Sequence, residues 1–249
     1  SQGFQGPETE KNTYTIDKNE YYVIFDGTSM TGWRGYGKNH VPERWEIQDG
    51  ALHFIGQGNP KYKDDKGNKR EGGDLIFAHK FKNFILELEW KISKGGNSGI
   101  FYLAQEVTNA DRSKLEPIYV SAPEYQVLDN ENHPDAKAGK DNNRKSASLY
   151  DLIPAKPQNA KPYGEWNTAK IVVFKGTVIH YQNGEKVLEY HLWTPKWEEM
   201  LDNSKFCKGG EFPCAYGLMK EEGKNGGYFA VQDHGDDVWY RNIRIKIMD

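Results

Sequence analysis

The sequence predicts an all-β protein, a jelly-roll sandwich of two antiparallel sheets with one short helix. Three observations carry that expectation. Runs in which apolar residues alternate with polar ones recur from Tyr22 to Ile247, and a period of two puts alternate side chains on opposite faces of a strand. Asp49-Gly50 and Asn183-Gly184 stand between such runs, and both positions of a tight hairpin turn must tolerate positive φ. The chain has 249 residues, 37% of them hydrophobic, enough to bury one sizeable core. An immunoglobulin-like sandwich usually takes only about 100 residues, so a larger jelly roll fits better.

Residues 1–20 are polar, with Pro7 and few apolar anchors, and read as a loosely held arm before a single domain over residues 21–249. Structure begins at Tyr22-Val23-Ile24-Phe25, ahead of the turn-rich Asp26-Gly27-Thr28-Ser29. Trp45-Glu46-Ile47 and Ala51-Leu52-His53-Phe54 flank Asp49-Gly50 as a hairpin. Residues 56–74 hold Gly, Lys, Asp and Asn with hardly an apolar side chain, which makes them a surface loop. Asp74-Leu75-Ile76-Phe77 reads as a strand, and Phe84 to Ile92 alternates strictly, Leu86, Leu88 and Trp90 on one face and Glu87, Glu89 and Lys91 on the other. Leu, Glu and Lys favour helix, but the period of two decides for strand.

Further strands are expected around Asn97 to Tyr102, Glu124 to Leu128, Trp166 to Phe174, Thr177 to Gln182 and Glu185 to Tyr190. Thr194-Pro195 supplies an N-cap and first-turn proline, and Trp197, Met200 and Leu201 recur at helical spacing, so a short helix follows. Gly227 to Gly235 and Val238 to Ile247 close the domain as strands. In the last run Ile243, Ile245 and Ile247 form a core face that Arg241 shares by parity. An arginine there needs a carboxylate partner.

Lys and Arg number 33 against 36 Asp and Glu, and no basic block or basic helix face tracks a phosphate backbone, so nucleic acid is not an expected partner. No apolar run approaches the roughly 20 residues of a membrane span. Cys207 and Cys214 are too few and too isolated for a zinc site. A loop-closing disulfide and two free thiols are both compatible with their spacing. The chain starts Ser1-Gln2-Gly3-Phe4 without a charged or apolar leader, as expected if a signal segment has been removed or never existed.

The candidate site lies where Gly95-Gly96-Asn97-Ser98-Gly99 enters a strand beside Pro123-Glu124-Tyr125-Gln126-Val127-Leu128-Asp129. Tyr125 and Val127 enter the core, so Glu124 and Gln126 face the other way. A half-buried strand with a merely wet face is the plainer reading of one such strand.

Several segments together resemble the 3-keto-disaccharide hydrolase domain family over about residues 20 to 248: Phe25-Asp26-Gly27-Thr28-Ser29-Met30-Thr31-Gly32-Trp33, Glu89-Trp90, Gly96-Asn97-Ser98-Gly99-Ile100, Pro123 to Asp129, Tyr150-Asp151-Leu152, Glu165-Trp166-Asn167, Asn183-Gly184, Gln232-Asp233-His234-Gly235 and Arg241-Asn242-Ile243. Singly they are weak, but jointly and in this order they are specific. The resemblance implies a concanavalin-A-like lectin/glucanase sandwich holding a carbohydrate on its concave face, in secreted or periplasmic proteins that cleave glycosides oxidised at C3. Two departures stand out: a longer, more charged loop from Gln57 to Gly73, and Ser146-Ala147-Ser148 before Leu149-Tyr150, where the family more often has a glycine.

An ordinary glycosidase needs two carboxylates about 5–5.5 Å or 6.5–9.5 Å apart. Here Gln126 stands where a dyad at two-residue spacing would have an acid, and Asp129 has core parity. A 3-keto sugar relaxes the requirement, because the ketone acidifies the C2 hydrogen. One base, an enolate stabiliser and an acid for the leaving group suffice. The expected catalytic residues are His133 or His234 as base or acid, with Glu124 as orienting or acid/base partner. Glu89, Asn97, Gln126, Asp129, Tyr150, Gln232 and Arg241 are the expected substrate lining. A divalent cation is a possible cofactor, but no ligand spacing is diagnostic. Against these stand plainer readings: His133 as loop surface, Asp233-His234 as a satisfied turn, Asp233, Asp236 and Asp237 as calcium ligands short of a full set, and Trp33, Trp90 and Trp239 as core rather than sugar platform. The expected partner is a carbohydrate, bound by an enzyme or by a non-catalytic carbohydrate-binding module.

Overall fold

The computed structural model describes residues 14–249. Its strands are β1 (Tyr22–Phe25), β2 (Trp33–Gly35), β3 (Trp45–Gln48), β4 (Ala51–Phe54), β5 (Leu75–Phe81), β6 (Phe84–Ile92), β7 (Asn97–Ala104), β8 (Glu124–Leu128), β9 (Asn167–Phe174), β10 (Thr177–Gln182), β11 (Glu185–His191), β12 (Gly227–Val231) and β13 (Val238–Ile247). They form two antiparallel sheets. The larger runs β11-β10-β9-β6-β13-β4-β3, with β1 also paired to β13; the smaller runs β2-β5-β12-β7-β8. Consecutive hairpins and long returns between sheets give the expected sandwich.

The two turn pairs behave as their chemistry requires. Asp49 and Gly50 sit at φ 50° and 78°, Asn183 and Gly184 at 49° and 82°, the mirror-image turns whose twist matches that of paired strands. β6 is buried at every second position, from Phe84 to Ile92. Its Leu86, Leu88 and Trp90 meet Ile100, Tyr102, Tyr125, Val127, Phe229 and Val231 from the smaller sheet in one continuous core. Each such side chain contributes about 1.5–3 kcal/mol by leaving water. Inside it the Tyr102 hydroxyl meets His180 Nε2 at 2.7 Å and the Tyr190 hydroxyl at 2.6 Å. Burial pushes the His180 imidazole down to about 4, so it stays neutral and serves as a fixed hydrogen-bonding core group.

The parity expected of β13 is overturned by a bulge. Pairing with β6 shifts between Arg241 and Arg244, and Asn242 takes φ 53°. Val238 and Tyr240 face the core before the bulge, Ile243 and Ile245 after it. The extra residue exchanges the faces, so Arg241 points out of the core.

Only β2 was not foreseen; three residues are too few to show a period. The expected helix is α1 (Pro195–Asp202), capped by the Thr194 side chain on Trp197 N, and a short α2 (Ala215–Lys220) follows it. The Trp197 indole N–H donates to the Met219 carbonyl at 2.8 Å, tying α1 to α2. Residues 203–214 are thereby held beside the outward face of the smaller sheet. Of the expected arm, residues 1–13 lie outside the described residues. The next residues lie on the domain, the Tyr14 ring edge-on to Phe77 at 5.6 Å.

Candidate active site

The outward face of the smaller sheet is where the polar parity of β7 and β8 converges. Gly99 pairs with Gln126 and Phe101 with Glu124, and Gln232, just past β12, donates its N–H to the Gly99 carbonyl at 3.0 Å. Glu124, Gln126, Asn97, Gln232, His234 and Tyr150 share a cavity of about 230 Å³. Tyr150 is placed by its N–H on the Glu124 carbonyl, 2.9 Å. Glu124 is only 8% exposed. A Cβ on Gly99 would lie 2.2 Å from Glu124 Oε2, so the carboxylate rests directly against the Gly99 backbone and any larger residue there would displace it. Among the described residues this carboxylate takes no hydrogen bond. Burial pushes it up to about 8, against the pull of the Lys205 ammonium and with the push of Asp74 and Asp135.

Beside it three amide oxygens, of Asn97, Gln126 and Gln232, are buried without a hydrogen-bond partner among the described residues. The Gln126 nitrogen donates to the Arg144 carbonyl at 2.9 Å, which fixes the other end of that amide as an acceptor. An unmatched buried acceptor costs about 1–3 kcal/mol, so three of them around one cavity form a site built for a ligand rich in hydroxyl donors. The opposite wall comes from residues 203–214: Lys205, Phe206 and Phe212 line the cavity. Lys205 Nζ stands 4.6 Å from the Tyr150 ring centre and 5.9 Å from those of Phe206 and Phe212. Such faces hold a cation without neutralising it. The cavity therefore sets a carboxylate with no hydrogen bond beside an ammonium with no ion pair among the described residues.

Residues 20–246 match the model of the 3-keto-alpha-glucoside-1,2-lyase-like domain. The chain belongs to that family. It is 59% identical, over its whole length and 86% of the relative's, to a 3-keto-disaccharide hydrolase of Bacteroides thetaiotaomicron. A crystal structure from Parabacteroides distasonis, of a protein provisionally assigned as a glycosyl hydrolase, superposes with a TM-score of 0.75 at 26% identity, covering 95% of this chain and 99% of that one. A second structure from that organism, at 23% identity and a TM-score of 0.56, covers 87% of this chain and 99% of its own and shares the fold. Membership in the lyase-like family bears out the enzyme expectation over the binding module.

The expected lining of this family member is only partly brought together. Asn97, Glu124, Gln126, Tyr150, Gln232 and His234 meet in the cavity; the others do not. Glu89 and Arg241 lie on the outward face of the larger sheet, where Arg241 Nη2 binds Glu89 Oε1 at 3.0 Å and its guanidinium lies 3.8 Å from the Trp166 ring centre. The expected carboxylate partner is present, but the β13 bulge directs the pair away from the site. Asp129 follows the end of β8 and accepts from Gly95 N at 2.8 Å, the Asn132 amide at 2.8 Å and Glu131 N at 3.1 Å. Burial would raise its carboxyl, but these donors outweigh it and hold it below the usual range. It fastens the turn entering β7 to the turn leaving β8, at one end of the strand pair. His133 stands behind His234, ring centres 6.3 Å apart at 78°, and its Nδ1 accepts from Asp135 N at 2.9 Å. It caps a turn outside the cavity wall.

Sequence reasoning missed Lys205, Phe206 and Phe212, because that stretch drew notice only for its cysteines, and Tyr119 and Asp135, which complete the wall. Asp135 follows His133-Pro134 in the loop after β8, and it is tied to Arg144 Nη1 at 3.0 Å. Both cysteines are free thiols. Among the described residues no three His, Cys, Asp or Glu side chains are grouped as metal ligands. The aspartates considered for calcium are engaged by protein donors: Asp233 by Gly73 N and Gly235 N, Asp236 by Asn97 N, and Asp237 by His53, Gly56 N and Asn59. A cation in the cavity would draw on Glu124, the amide oxygens and His234. Trp33 and Trp90 are core, and Trp239 stacks on His53 at 4.8 Å.

Proposed function

We propose that this protein cleaves 3-keto-glycosides at C1 through an enolate, with Glu124 as base, Lys205 as enolate stabiliser and His234 as acid for the leaving oxygen. The observation that carries the reading is the buried Glu124 carboxylate, without a hydrogen bond among the described residues, sharing one cavity with Lys205 and three unsatisfied amide acceptors. With its carboxyl raised to about 8, Glu124 is mostly protonated at pH 7, and its ionised form is a stronger base than an ordinary glutamate, which removal of a carbon-bound proton needs; cleavage is expected to rise with pH towards 8. The other carboxylate in the cavity, Asp135, is occupied by Arg144, which counts against an ordinary two-carboxylate glycosidase.

Glu124 takes the C2 hydrogen, and the electron pair moves onto the ketone oxygen as an enolate facing the Lys205 ammonium. The C3 carbonyl re-forms, a C1=C2 double bond develops, and the C1–O bond breaks as the leaving oxygen takes a proton from His234. Water adds at C1, passing its proton to His234, and C2 recovers a proton from Glu124. The net reaction is hydrolysis; release before water adds gives the unsaturated ketone. Asn97, Gln126 and Gln232 accept from ring hydroxyls and fix the sugar. The same reading assigns the protein to the periplasm or the cell exterior.

The test is aglycone release from a 3-keto-glucoside and from its unoxidised parent, each with and without a chelator. Release from the keto sugar alone is expected. Equal release from the parent, or binding of both without release, overturns the reading. Loss of activity on chelation adds a divalent cation.

A further inference from the structure

A buried chain of polar groups crosses the sandwich behind the site. His180 on β10, Tyr102 on β7, Tyr190 on β11 and Ala147 are all buried. His180 Nδ1 lies 2.9 Å from the Ala147 carbonyl oxygen, and its Nε2 lies 2.7 Å from the Tyr102 hydroxyl, which is 2.6 Å from the Tyr190 hydroxyl. Burial keeps the imidazole neutral, so it has one proton to give. A carbonyl only accepts, and that proton is therefore on Nδ1. Nε2 then accepts from Tyr102, and Tyr102 in turn accepts from Tyr190. Every donor in the chain points one way, toward Ala147.

Ala147 holds an uncommon backbone. Its φ is 66°, a left-handed conformation that costs free energy for a residue with a Cβ. It belongs to Ser146-Ala147-Ser148, the stretch where the family more often has a glycine. The same stretch runs along the edge of β8. Ala147 N donates to the Gln126 carbonyl at 2.8 Å, Gln126 N to the Ser148 carbonyl at 3.1 Å, and Tyr150 N to the Glu124 carbonyl at 2.9 Å. The Gln126 side chain, through its bond to the Arg144 carbonyl, is tied to the start of this stretch as well.

We infer that His180 is a positioning residue for the site: it holds the left-handed Ala147 turn from inside the core and so fixes the Gln126 amide and the Tyr150 ring beside Glu124. Without that donor the Ala147 carbonyl is buried and unmatched, and the peptide relieves both this and its strain by turning away, which loosens the edge of β8. The two tyrosines set the direction of donation and do not reach the cavity. The inference rests on the proposed function for its kinetic readout only.

Two substitutions separate the two ring nitrogens. Asn places an amide where Nδ1 lies and keeps a donor for Ala147, whereas Gln reaches the place of Nε2, keeping a partner for Tyr102 and leaving Ala147 bare. Each loses one link, so both are expected to melt below the wild type. On a 3-keto-glucoside, His180→Gln is expected to lose about tenfold or more in kcat/KM and His180→Asn to stay within about threefold of the wild type. Equal losses in the two variants, or a Gln variant as active as the wild type, overturn the inference. Nitrogen NMR of histidine-labelled wild type needs no variant: a proton on Nδ1 of His180 is expected, and a proton on Nε2 overturns the inference. A wild type that does not cleave the keto sugar overturns the proposed function alone; the variants are then compared by the Kd of that sugar, with weaker binding by His180→Gln than by His180→Asn expected and equal binding overturning the inference.

Discussion

Glu124 has its carboxyl where the fold prefers it protonated, and that has a consequence for stability. In the folded protein it ionises near 8, in the unfolded chain near its ordinary 4.5. Between those values the folded state holds a proton that the unfolded state has lost, so stability falls as pH rises through this window. At pH 7 the cost is on the order of 3 kcal/mol. Glu124→Gln keeps the shape and removes the titration. It should abolish cleavage, at least a thousandfold in kcat, while raising the melting temperature at pH 7–8 and changing it little at pH 4. A variant that melts lower than the wild type at pH 8 would contradict the burial argument. Lys205 belongs to the same scale. Lys205→Met keeps the stem that packs on Tyr150 and Phe206 but removes the charge, and about a hundredfold loss of kcat with little change in KM is expected of a group acting on the transition state. Single-turnover kinetics read the split, and a change in KM alone would make Lys205 a binding residue.

At the scale of elements, β7 and β8 build the site by lying flat against each other. Gly99 sits opposite Gln126 and under Glu124, so the strand pair supplies both the base and the floor beneath it. Gly99→Ala would drive a methyl group into the carboxylate. The expected result is at least a tenfold loss of kcat, with a stability cost of about 1–3 kcal/mol as the side chains shift; retention of full activity would place Glu124 elsewhere. The bulge in β13 works in the opposite sense, carrying Arg241 out to the far face. The segment between α1 and α2 is the third contributor, delivering Lys205, Phe206 and Phe212 against the sheet.

For the whole molecule, the sandwich divides labour between its sheets. The smaller sheet carries the cavity on its outward face, and the larger closes the core behind it. Arg241→Ala should therefore leave kcat/KM within twofold of wild type. It costs about 1 kcal/mol, from a partly exposed ion pair with Glu89 and the stacking on Trp166. Chemical denaturation and steady-state kinetics on the same preparation separate the two effects, and a large loss of activity would require the far face to communicate with the site.

By itself the sequence determined every strand but β2, the two mirror-image turns, the capped helix and the outward facing of Glu124 and Gln126, because a period of two and turn chemistry are local properties of the backbone. The motifs around Asn97, Glu124 and Gln232 also sufficed to point to the family. Only the tertiary structure decided which polar residues meet. Glu89 and Asp129 stood beside Glu124 as candidate site residues, but a residue's sheet and a strand's end are set by long-range pairing. The bulge at Asn242 reversed a parity that seemed clean in Ile243, Ile245 and Ile247. Lys205 lies 81 residues from Glu124 in the chain, and no local pattern brings them together. Packing of α1 and α2 does so, because a cavity's charge balance belongs to the assembled surfaces rather than to any one segment.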